Sequence, residues 1–564
     1  MPGSTAHSVF ATPELVLLLA EHLNPHDLAQ CIGVCKDWSR QFEHILWSNV
    51  CLQKHRCDSL RTTLNSPMKA ALIRNLPLIR TLKILFASSS LLQLFTHGSI
   101  NDPSTRCNNL TRLEIEDISS DHFDLASQHL TALLDLNHRL TTLELPFESL
   151  DNGAALASLS KLKTLERLSV GSMNDYESEQ VLPFLRACLP LPKLTHLHFD
   201  LDLFWTDLDK DTRDLKAIIK RAMRARFSQN PRATKITALR LPSKYNDLDN
   251  PLPLLLLESN LLDLESCEIP WFDVNANPEK IEQVARNHCS KLKHLICPSF
   301  SGYDEDGQSV DSFIRGCSGI QSFVSRHFVD HEPESEPRHI LSTLAAQHSD
   351  TLEVLKLTEC DQATSADQQE ILSRCKRLKR FWVMHSYPDE VNIGIKSTDI
   401  LQGSWDCMEL TELGLTLNRF PELKEVLAHT GAVGEEMVEL EYWWLIMADK
   451  SVYTQIGRLA KLETLVLNID KSEDTKALPG AYAWDLTLSR GWLRELEGLK
   501  SLKVLRLQAD LWSKMGQAEV EFIHEHWPVL REIRLCGNGS QPRLQASWRW
   551  LLDKRPQLRL DHEA

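Results

Sequence analysis

One motif, Leu-x-x-Leu-x-Leu, recurs along the chain and restricts the fold more than any other feature of the sequence. Clear copies begin at Leu110 and at Leu502. The alternating part of the motif is what a short strand with one buried face requires. A single unit of this kind cannot bury its apolar face, whereas stacked units can. The motif therefore predicts a solenoid built from repeated strand-containing units.

Sixteen repeat starts can be assigned from this pattern. They lie at Ile79, Leu110, Leu140, Leu165, Leu194, Ile236, Leu261, Leu292, Ile320, Leu352, Leu378, Leu410, Met437, Leu462, Leu502 and Leu530. Their spacing averages about thirty residues, which leaves room for an outer helix after each strand. Several helical stretches end in a cysteine just before the next strand, as at Cys289 and Cys375. This layout resembles the leucine-rich repeats that contain cysteine. It implies an α/β horseshoe with a parallel inner sheet and outer helices.

The bulk properties of the chain narrow the range of functions. At 564 residues it exceeds the size at which one compact core stops growing, about 250 to 300 residues. A net charge of −15 disfavours a general nucleic-acid-binding role. No apolar run approaches the length of a membrane span, and the N-terminus lacks the pattern of a signal peptide. The 14 scattered cysteines then indicate reduced thiols, so we expect a cytoplasmic or nuclear protein without membrane contact.

The first fifty residues differ from the repeats. Thr12 and Pro13 suit a helix start, and the leucines from Leu15 to Leu23 follow at helical spacing, which predicts a packed helix. Asn24-Pro25 ends that helix, and two further amphipathic segments follow at 27–35 and 38–47. A three-helix unit of this size has little core of its own. We therefore expect it to rest on a partner.

The residues of this segment resemble an F-box. The resemblance is carried by residues in this order: Pro13, Leu15, Leu23, Asp27-Leu28, Val34-Cys35-Lys36-x-Trp38 and Leu46-Trp47. Thr12 replaces the usual leucine, and Leu17-Leu18-Leu19-Ala20 departs from the common pattern. F-box proteins dock a Skp-type adaptor of cullin–RING ubiquitin ligases. The resemblance implies that the adaptor-binding residues are Pro13, Leu15, Leu28, Val34, Cys35, Trp38 and Trp47. The alternative is a generic helical cap on the first repeat.

These patterns give a domain organisation. We predict a flexible start at 1–8, an F-box at 9–50, a helical junction at 51–78, about sixteen leucine-rich repeats at 79–540, and a C-terminal cap at 541–564. The junction contains an apolar helix around Leu72 and Leu76, and the cap contains a helix with Trp548 and Trp550. A capping element at the end of a solenoid covers an otherwise exposed core.

The inner face of the solenoid is the candidate target site. Counted from the first leucine of a repeat, the third, fifth and seventh positions point away from the buried leucines. In the C-terminal third these positions carry large apolar and charged side chains, which are enriched at protein interfaces. The candidate target-binding residues are Arg380, Trp382, Met384, Glu439, Glu441 and Trp443. The alternative is a register shifted by one residue, which would place these tryptophans in the core.

A charged helix is predicted at 208–229, inside one of the long intervals between repeats. It carries Lys210, Arg213, Lys216, Lys220, Arg221, Arg224 and Arg226. It would bind an acidic partner or a phosphate, or it would be a solvated insertion. Asp207, Asp209, Asp211 and Asp214 balance the macrodipole at its start, which favours the solvated insertion.

Catalytic chemistry finds little support in the sequence. Phosphate-binding loops, metalloprotease motifs and nucleophile elbows are missing. His196 and His198 share one face of a strand, but Arg167 and Arg240 stand at the nearest positions on the flanking strands, which disfavours a metal. We expect a non-catalytic subunit without cofactor or metal.

The resemblance and the repeats together imply a function. The chain would be the substrate-recognition subunit of an SCF-type ubiquitin ligase, with a Skp-type adaptor on the F-box and a target protein on the repeats. The alternative is a leucine-rich-repeat scaffold or inhibitor that binds protein without ligase association.

Overall fold

The computed structural model describes most of the repeat region and part of the N-terminal segment. The described residues are 15, 18–20, 22–52, 67–97, 106–118, 123–150, 153–171, 176–199, 203–204, 208–228, 234–241, 252–259, 262–268, 277–297, 300–301, 306–325, 328–329, 340–358, 363–384, 394–400, 403–417, 450–469, 486–489, 492–508, 515–536 and 546–563. The chain forms two compact units, Met1–Asp263 and Leu264–Ala564. Each unit is described by itself.

The first unit contains a parallel sheet whose strands pair in chain order. They are β1 Asn49–Leu52, β2 Thr81–Ile84, β3 Arg112–Ile115, β4 Thr142–Pro146, β5 Arg167–Gly171, β6 His196–Phe199 and β7 Ile236–Arg240. A separate two-stranded pair joins Tyr176–Glu177 to Leu203–Phe204. Parallel neighbours need a crossover between them, and the connections here contain helices.

The helices of the first unit begin with two in the N-terminal segment and continue between the strands. They are α1 Pro25–Ile32, α2 Lys36–Ser48, α3 Pro67–Asn75, α4 Ser89–His97, α5 Phe123–Leu136, α6 Gly153–Lys161, α7 Ser178–Cys188, α8 Leu208–Phe227 and α9 Leu252–Leu257. Short 3₁₀ helices lie at Leu76–Leu78 and Phe147–Leu150. From α4 to α9 each helix packs against the next one, which forms an outer layer.

The second unit repeats this arrangement. Its strands, again parallel and paired in chain order, are β8 Leu262–Glu268, β9 His294–Cys297, β10 Ser322–Ser325, β11 Val354–Thr358, β12 Arg380–Met384, β13 Glu412–Leu417, β14 Thr464–Ile469, β15 Val504–Gln508, β16 Glu532–Cys536 and β17 Arg559–Glu563. Phe300–Ser301 and Phe328–Val329 form a second short pair.

The helices of the second unit again lie between the strands. They are α10 Pro278–His288, α11 Asp306–Gly316, α12 Ile340–Gln347, α13 Ser365–Arg374, α14 Ser397–Ile400, α15 Trp492–Glu495, α16 Gln517–His526 and α17 Ala546–Lys554. Helical turns also occupy 450–457, and a 3₁₀ helix lies at Leu496–Gly498. Among the residues described, no helix combines the length and apolar character needed to cross a membrane.

The repeated leucines form the core of both units. In the repeat that starts at Leu110, the side chains of Leu110, Leu113 and Ile115 are completely buried. Leu113 lies opposite Leu143 of the next strand, so equivalent leucines stack from repeat to repeat. The prediction of a leucine-rich-repeat α/β solenoid with a parallel sheet and helices is confirmed.

The turn between each helix and the next strand is also repeated. The N–H of the first leucine donates to the carbonyl three residues earlier, as from Leu292 to Cys289 and from Leu378 to Cys375. The cysteines at this position are buried, and burial raises the pKa of the Cys289 and Cys375 thiols to about 12. These thiols stay protonated at neutral pH and act as small apolar core groups.

Two of the predicted repeat starts are wrong, and the first of them is misplaced by three residues. Cys267 pairs with Leu295, so the residue equivalent to Leu292 is Leu264. The predicted start, Leu261, lies three residues earlier and outside the described residues. The error has a simple cause, because leucines at 261, 262 and 264 offer more than one register for the motif.

The second error concerns the predicted repeat at Met437. Strand β13 pairs with β12 on one edge and directly with β14 on the other. Both edges of β13 are occupied, so the sheet has no place for a strand between β13 and β14. Met437, Leu440 and Tyr442 reproduce the spacing of the motif, which explains the prediction, and they lie outside the described residues.

The sheet also extends further than predicted at each end. The sequence prediction divides Asn49–Leu52 between the F-box and the junction. In the structure these four residues form the first strand of the sheet and pair with Thr81–Ile84. At the other end, the predicted cap adds Arg559–Glu563 to Glu532–Cys536. Neither strand follows the leucine motif, so the pattern alone could not reveal them. Helix α3 lies within the predicted junction and contains Leu72, whereas Leu76 belongs to the 3₁₀ helix that follows.

Buried His348 takes part in the turn before β11. Its Nδ1 accepts a hydrogen bond from the Ile320 N–H at 3.3 Å, and its Nε2 donates to the Ile314 carbonyl at 3.2 Å. Desolvation lowers the pKa of His348, and the hydrogen bond to Ile314 offsets part of that effect. The neutral imidazole is therefore the form that fits this turn.

This arrangement predicts a pH-dependent stability of the second unit. Because the folded-state pKa is lowered, the stabilisation is complete above the ordinary histidine pKa of about 6.5 and is lost as the pH falls below it. We expect His348→Ala to reduce the free energy of unfolding by about 1–3 kcal/mol at neutral pH, since it leaves the Ile320 N–H without its acceptor. The variant should also lose less of its free energy of unfolding than the wild-type chain does as the pH falls below about 6.5. Urea unfolding at several pH values measures both, and His294→Ala, at an exposed histidine, is the control.

Candidate functional site

Two helix caps shape the N-terminal segment. Asn24 caps α1, with its side chain accepting from the Asp27 N–H at 3.0 Å, and Pro25 takes the first helical position. Cys35 caps α2, with its Sγ accepting from the Trp38 N–H at 3.5 Å. Both helices therefore start where an extended residue can satisfy a free backbone donor.

The core of this segment is small. Leu28, Phe42 and Ala20 are its buried residues, and the half-buried Trp38 packs edge-on against Phe42 with ring centroids 5.5 Å apart. Leu28 was predicted to bind the adaptor, and in the free chain it is 6% exposed because it packs in this core. A polar substitution at Leu28 would therefore destabilise the segment, and a loss of adaptor binding in that variant would not identify Leu28 as a contact.

The leucines ahead of this core were predicted to pack, but most of them do not. Leu15, Leu18 and Leu19 are 44%, 54% and 37% exposed. Their spacing places all three on one face of a helical segment. Leu18 and Leu19 were not among the predicted adaptor-binding residues, because helical spacing alone does not show whether a face is covered.

The remaining predicted adaptor-binding residues have mixed positions. Val34, in the turn between α1 and α2, is 64% exposed, and Cys35 is exposed beside it. Trp38 and Trp47 are half-buried. Pro13 lies outside the described residues. Leu15 and Val34 are thus the predicted contacts whose side chains a partner can reach most directly.

The predicted register of β12 on the inner face is confirmed. Phe381 and Val383 are buried, whereas Arg380 is exposed and Trp382 and Met384 are half-buried. These three side chains therefore point away from the buried leucines, as predicted. Glu439, Glu441 and Trp443, the other predicted target-binding residues, lie outside the described residues.

Trp382 lies over the next strand. A Cβ atom added to Gly414 would stand 2.8 Å from Cδ2 of Trp382, so the indole occupies the space that a side chain would need. On the other side the Lys356 ammonium lies 5.9 Å from the ring centroid, within the range of a cation–π contact. Two residues before Trp382, the Nε of Arg380 lies 3.7 Å from Oε1 of Glu412 on the next strand.

Trp382 belongs to a row of side chains at the fifth position of each repeat, which we call the central row. Its members on consecutive strands are Ile296, Val324, Lys356, Trp382, Gly414 and Val466. Over these six strands the row is apolar except for Lys356, although it lies on the face opposite the leucine core, and it continues into Glu268 on one side and Arg506 on the other. Lys356 is exposed, Ile296, Val324 and Trp382 are half-buried, and Gly414 and Val466 are buried. Its β-branched members, each four residues after a repeat start, were not predicted, because valine and isoleucine are common in any strand and do not by themselves mark a binding surface.

The inner face of the first unit is polar by comparison. Ser169 Oγ lies 2.8 Å from Nδ1 of His198 on the adjacent strand. Desolvation, followed by the charge of Arg240, lowers the pKa of His198 to about 4. Desolvation and Arg167 also lower the pKa of His196. The shifts favour the neutral imidazole at both positions, although the charge of Glu166 opposes the shift at His196. Within the described residues, no cluster of three or more histidine, cysteine or acidic side chains could hold a metal.

The predicted charged helix is α8, and it replaces a repeat helix rather than forming an insertion. It connects β6 to β7 and packs between α7 and α9. Arg226 is buried, and its guanidinium donates to the carbonyls of Thr234, Leu189 and Leu194. This arginine holds the turn before β7 and takes no part in the charged surface.

Comparisons with known proteins add little beyond the fold. No protein-family model matches the chain, and no curated protein matches it in sequence. Among solved structures, it is similar to a complex of Rad7 and Elc1 in yeast, with 13% identity over 95% of this chain and 96% of that chain and a TM-score of 0.37. It is also similar to the leucine-rich repeat-containing protein LegL7 from Legionella pneumophila, with 11% identity over 86% and 96% of the two chains and a TM-score of 0.20. The leucine-rich-repeat fold therefore rests on the strands and helices described above.

The contact between Trp382 and Gly414 gives a test of the central row. Gly414→Ala should push the indole aside and destabilise the second unit by about 1–3 kcal/mol. Trp382→Ala opens the space, so the double variant should lose much less than the sum of the two single changes. Urea unfolding of the three variants measures this coupling. Additive losses would mean that the ring does not lie on Gly414.

Proposed function

We propose that this chain is a substrate-recognition subunit of an SCF-type ubiquitin ligase. Its N-terminal segment would be an F-box that binds a Skp-type adaptor, and its repeats would bind the target protein. The chain would perform no chemistry; it would hold target lysines at high effective concentration near a ubiquitin-charged enzyme. The 14 scattered cysteines suit a reducing compartment, so the proposed location is the cytosol or nucleus.

The observation that carries the adaptor proposal is the distribution of exposed apolar side chains. Seven large hydrophobic side chains are exposed among the described residues, and four of them are Leu15, Leu18, Leu19 and Val34. An exposed apolar group of this kind on a small helical unit is typical of an interaction site. The sequence of the same segment resembles an F-box, so an adaptor is the partner that best fits it.

The central row supports target binding on the inner face of the second unit. Strands β9 to β14 are each paired along both edges, so a target cannot add a strand to them. Contact must be made by side chains. Trp382 supplies an apolar surface and Arg380 an exposed guanidinium, and aromatic and arginine side chains dominate the energetics of many interfaces.

Adaptor binding is tested by changing exposed side chains that do not hold the fold. We expect Leu18→Asp with Val34→Asp to weaken co-purification with a Skp-type adaptor at least about tenfold, because two contacts each worth more than 1 kcal/mol are lost. Leu125→Asp with Val529→Asp changes two other exposed apolar side chains, which lie in the repeats, and should leave binding unchanged. Failure of the wild-type chain to bind the adaptor would leave the repeat scaffold as the better reading.

Target binding is tested separately. Proteins that accumulate in cells expressing the Leu18→Asp, Val34→Asp variant are candidate targets. Trp382→Ala should make the same proteins accumulate while adaptor binding stays intact, since it alters only the inner face. Met408→Ala, at an exposed residue outside that face, is the control. Accumulation of unrelated proteins, or of none, with Trp382→Ala would exclude the central row as the target site.

A further inference from the structure

Helix α8 has one face buried and the opposite face charged. Leu215, Ile218, Ile219 and Ala222 pack into the outer helical layer of the first unit. Arg226 continues this face and is held by backbone carbonyls. The helix is therefore fixed in orientation, and its other face is presented to solvent as a rigid surface.

Four cations on the exposed face form what we call the basic stripe. They are Lys216, Lys220, Arg221 and Arg224, all exposed. Spacings of three and four residues place them side by side, and the stripe is about 12 Å long at 1.5 Å per residue. Lys210 and Arg213 are exposed on the same side one to two turns earlier.

The stripe lacks the ion pairs that several other basic residues of the chain form. Lys161, Arg286, Lys379 and Lys461 each form an ion pair with a nearby carboxylate. No such pair is found for the four stripe residues among the described side chains. Like charges four residues apart, as in Lys216–Lys220 and Lys220–Arg224, weaken a helix. An external anion would remove that repulsion.

We propose that the basic stripe is a docking site for an acidic, extended or helical peptide segment of a partner protein. A folded protein surface would need apolar anchors at the centre of the contact. The apolar side chains exposed along this part of α8 are Ala217 and Ala225, which are too small for that role. Recognition therefore depends on charge, as in the binding of acidic motifs by arginine and lysine clusters.

The charge of the whole chain argues for a short acidic segment over a nucleic acid. A net charge of −15 repels a long polyanion at many points. At physiological ionic strength charges beyond about 8 Å are largely screened, so a short segment experiences mainly the stripe itself. This surface lies on the outer helical layer, whereas the central row lies on the sheet, and the inference does not depend on the proposed ligase role.

The experiment measures fluorescence anisotropy of a short labelled polyglutamate peptide with the full chain at low ionic strength. We expect binding that weakens steadily as salt is added. Lys216→Glu with Lys220→Glu and Arg224→Glu should weaken it at least about tenfold, since three contacts change from attraction to repulsion. The three glutamine substitutions should give an intermediate loss, which guards against misfolding of the reversed variant.

The matched control reverses three exposed cations elsewhere, with Lys376→Glu, Lys500→Glu and Arg531→Glu. It changes the net charge of the chain equally and should leave binding within about twofold, well under 1 kcal/mol. Equal loss in both triple variants, or no loss in the α8 variant, would overturn the proposal. A DNA duplex that binds the wild-type stripe while polyglutamate does not would overturn it in favour of a nucleic-acid site.

Discussion

The register between neighbouring parallel strands is the constraint on which the rest of the structure depends. Leu113 lies opposite Leu143, and Leu355 lies opposite Phe381, so each buried side chain is placed by the previous repeat. Because side chains alternate along a strand, a shift of one residue would exchange the buried and exposed faces. The same register that buries the leucines therefore aligns the central row on the opposite face.

The turns between helices and strands show how the repeats tolerate variation. Among the described turns, some are closed by an apolar or cysteine side chain, and others use a buried polar group instead. Asn137 accepts from the Leu110 N–H and donates to the Cys107 carbonyl, both at 2.8 Å. His348, Arg226 and Arg555 likewise bind backbone groups of the preceding turn. Each satisfies buried backbone atoms that would otherwise cost stability.

The fold was largely predictable because its signal is repeated. A strand with one buried face and a helix of defined length appear many times, so single errors do not change the architecture. Errors arose where several registers were equally good, as at Leu261 and Leu264, and where the motif occurred by composition, as at Met437. Strands without the motif, such as Asn49–Leu52, become strands only through pairing with Thr81–Ile84, which a local pattern does not contain.

The candidate sites were less predictable, since they depend on which apolar side chains stay uncovered. The leucines at 15, 18 and 19 have the spacing of core residues, and only the three-dimensional packing shows that they are exposed. Trp382 was placed correctly because its strand register followed from Leu378. The apolar character of the central row, by contrast, belongs to six strands together and to no single repeat.

The direct passage from α2 into β1 has a mechanical consequence. Ser48 ends the helix, Asn49 begins the strand, and the Arg80 N–H donates to the Ser48 carbonyl at 2.9 Å. A linker of even a few residues would let the N-terminal helices swing. Here the last turn of α2 is bonded into the sheet, so the helices point in a direction set by the repeats. Anything bound to α2 would share the rigid frame of the first strands, and the angle between them would survive thermal motion.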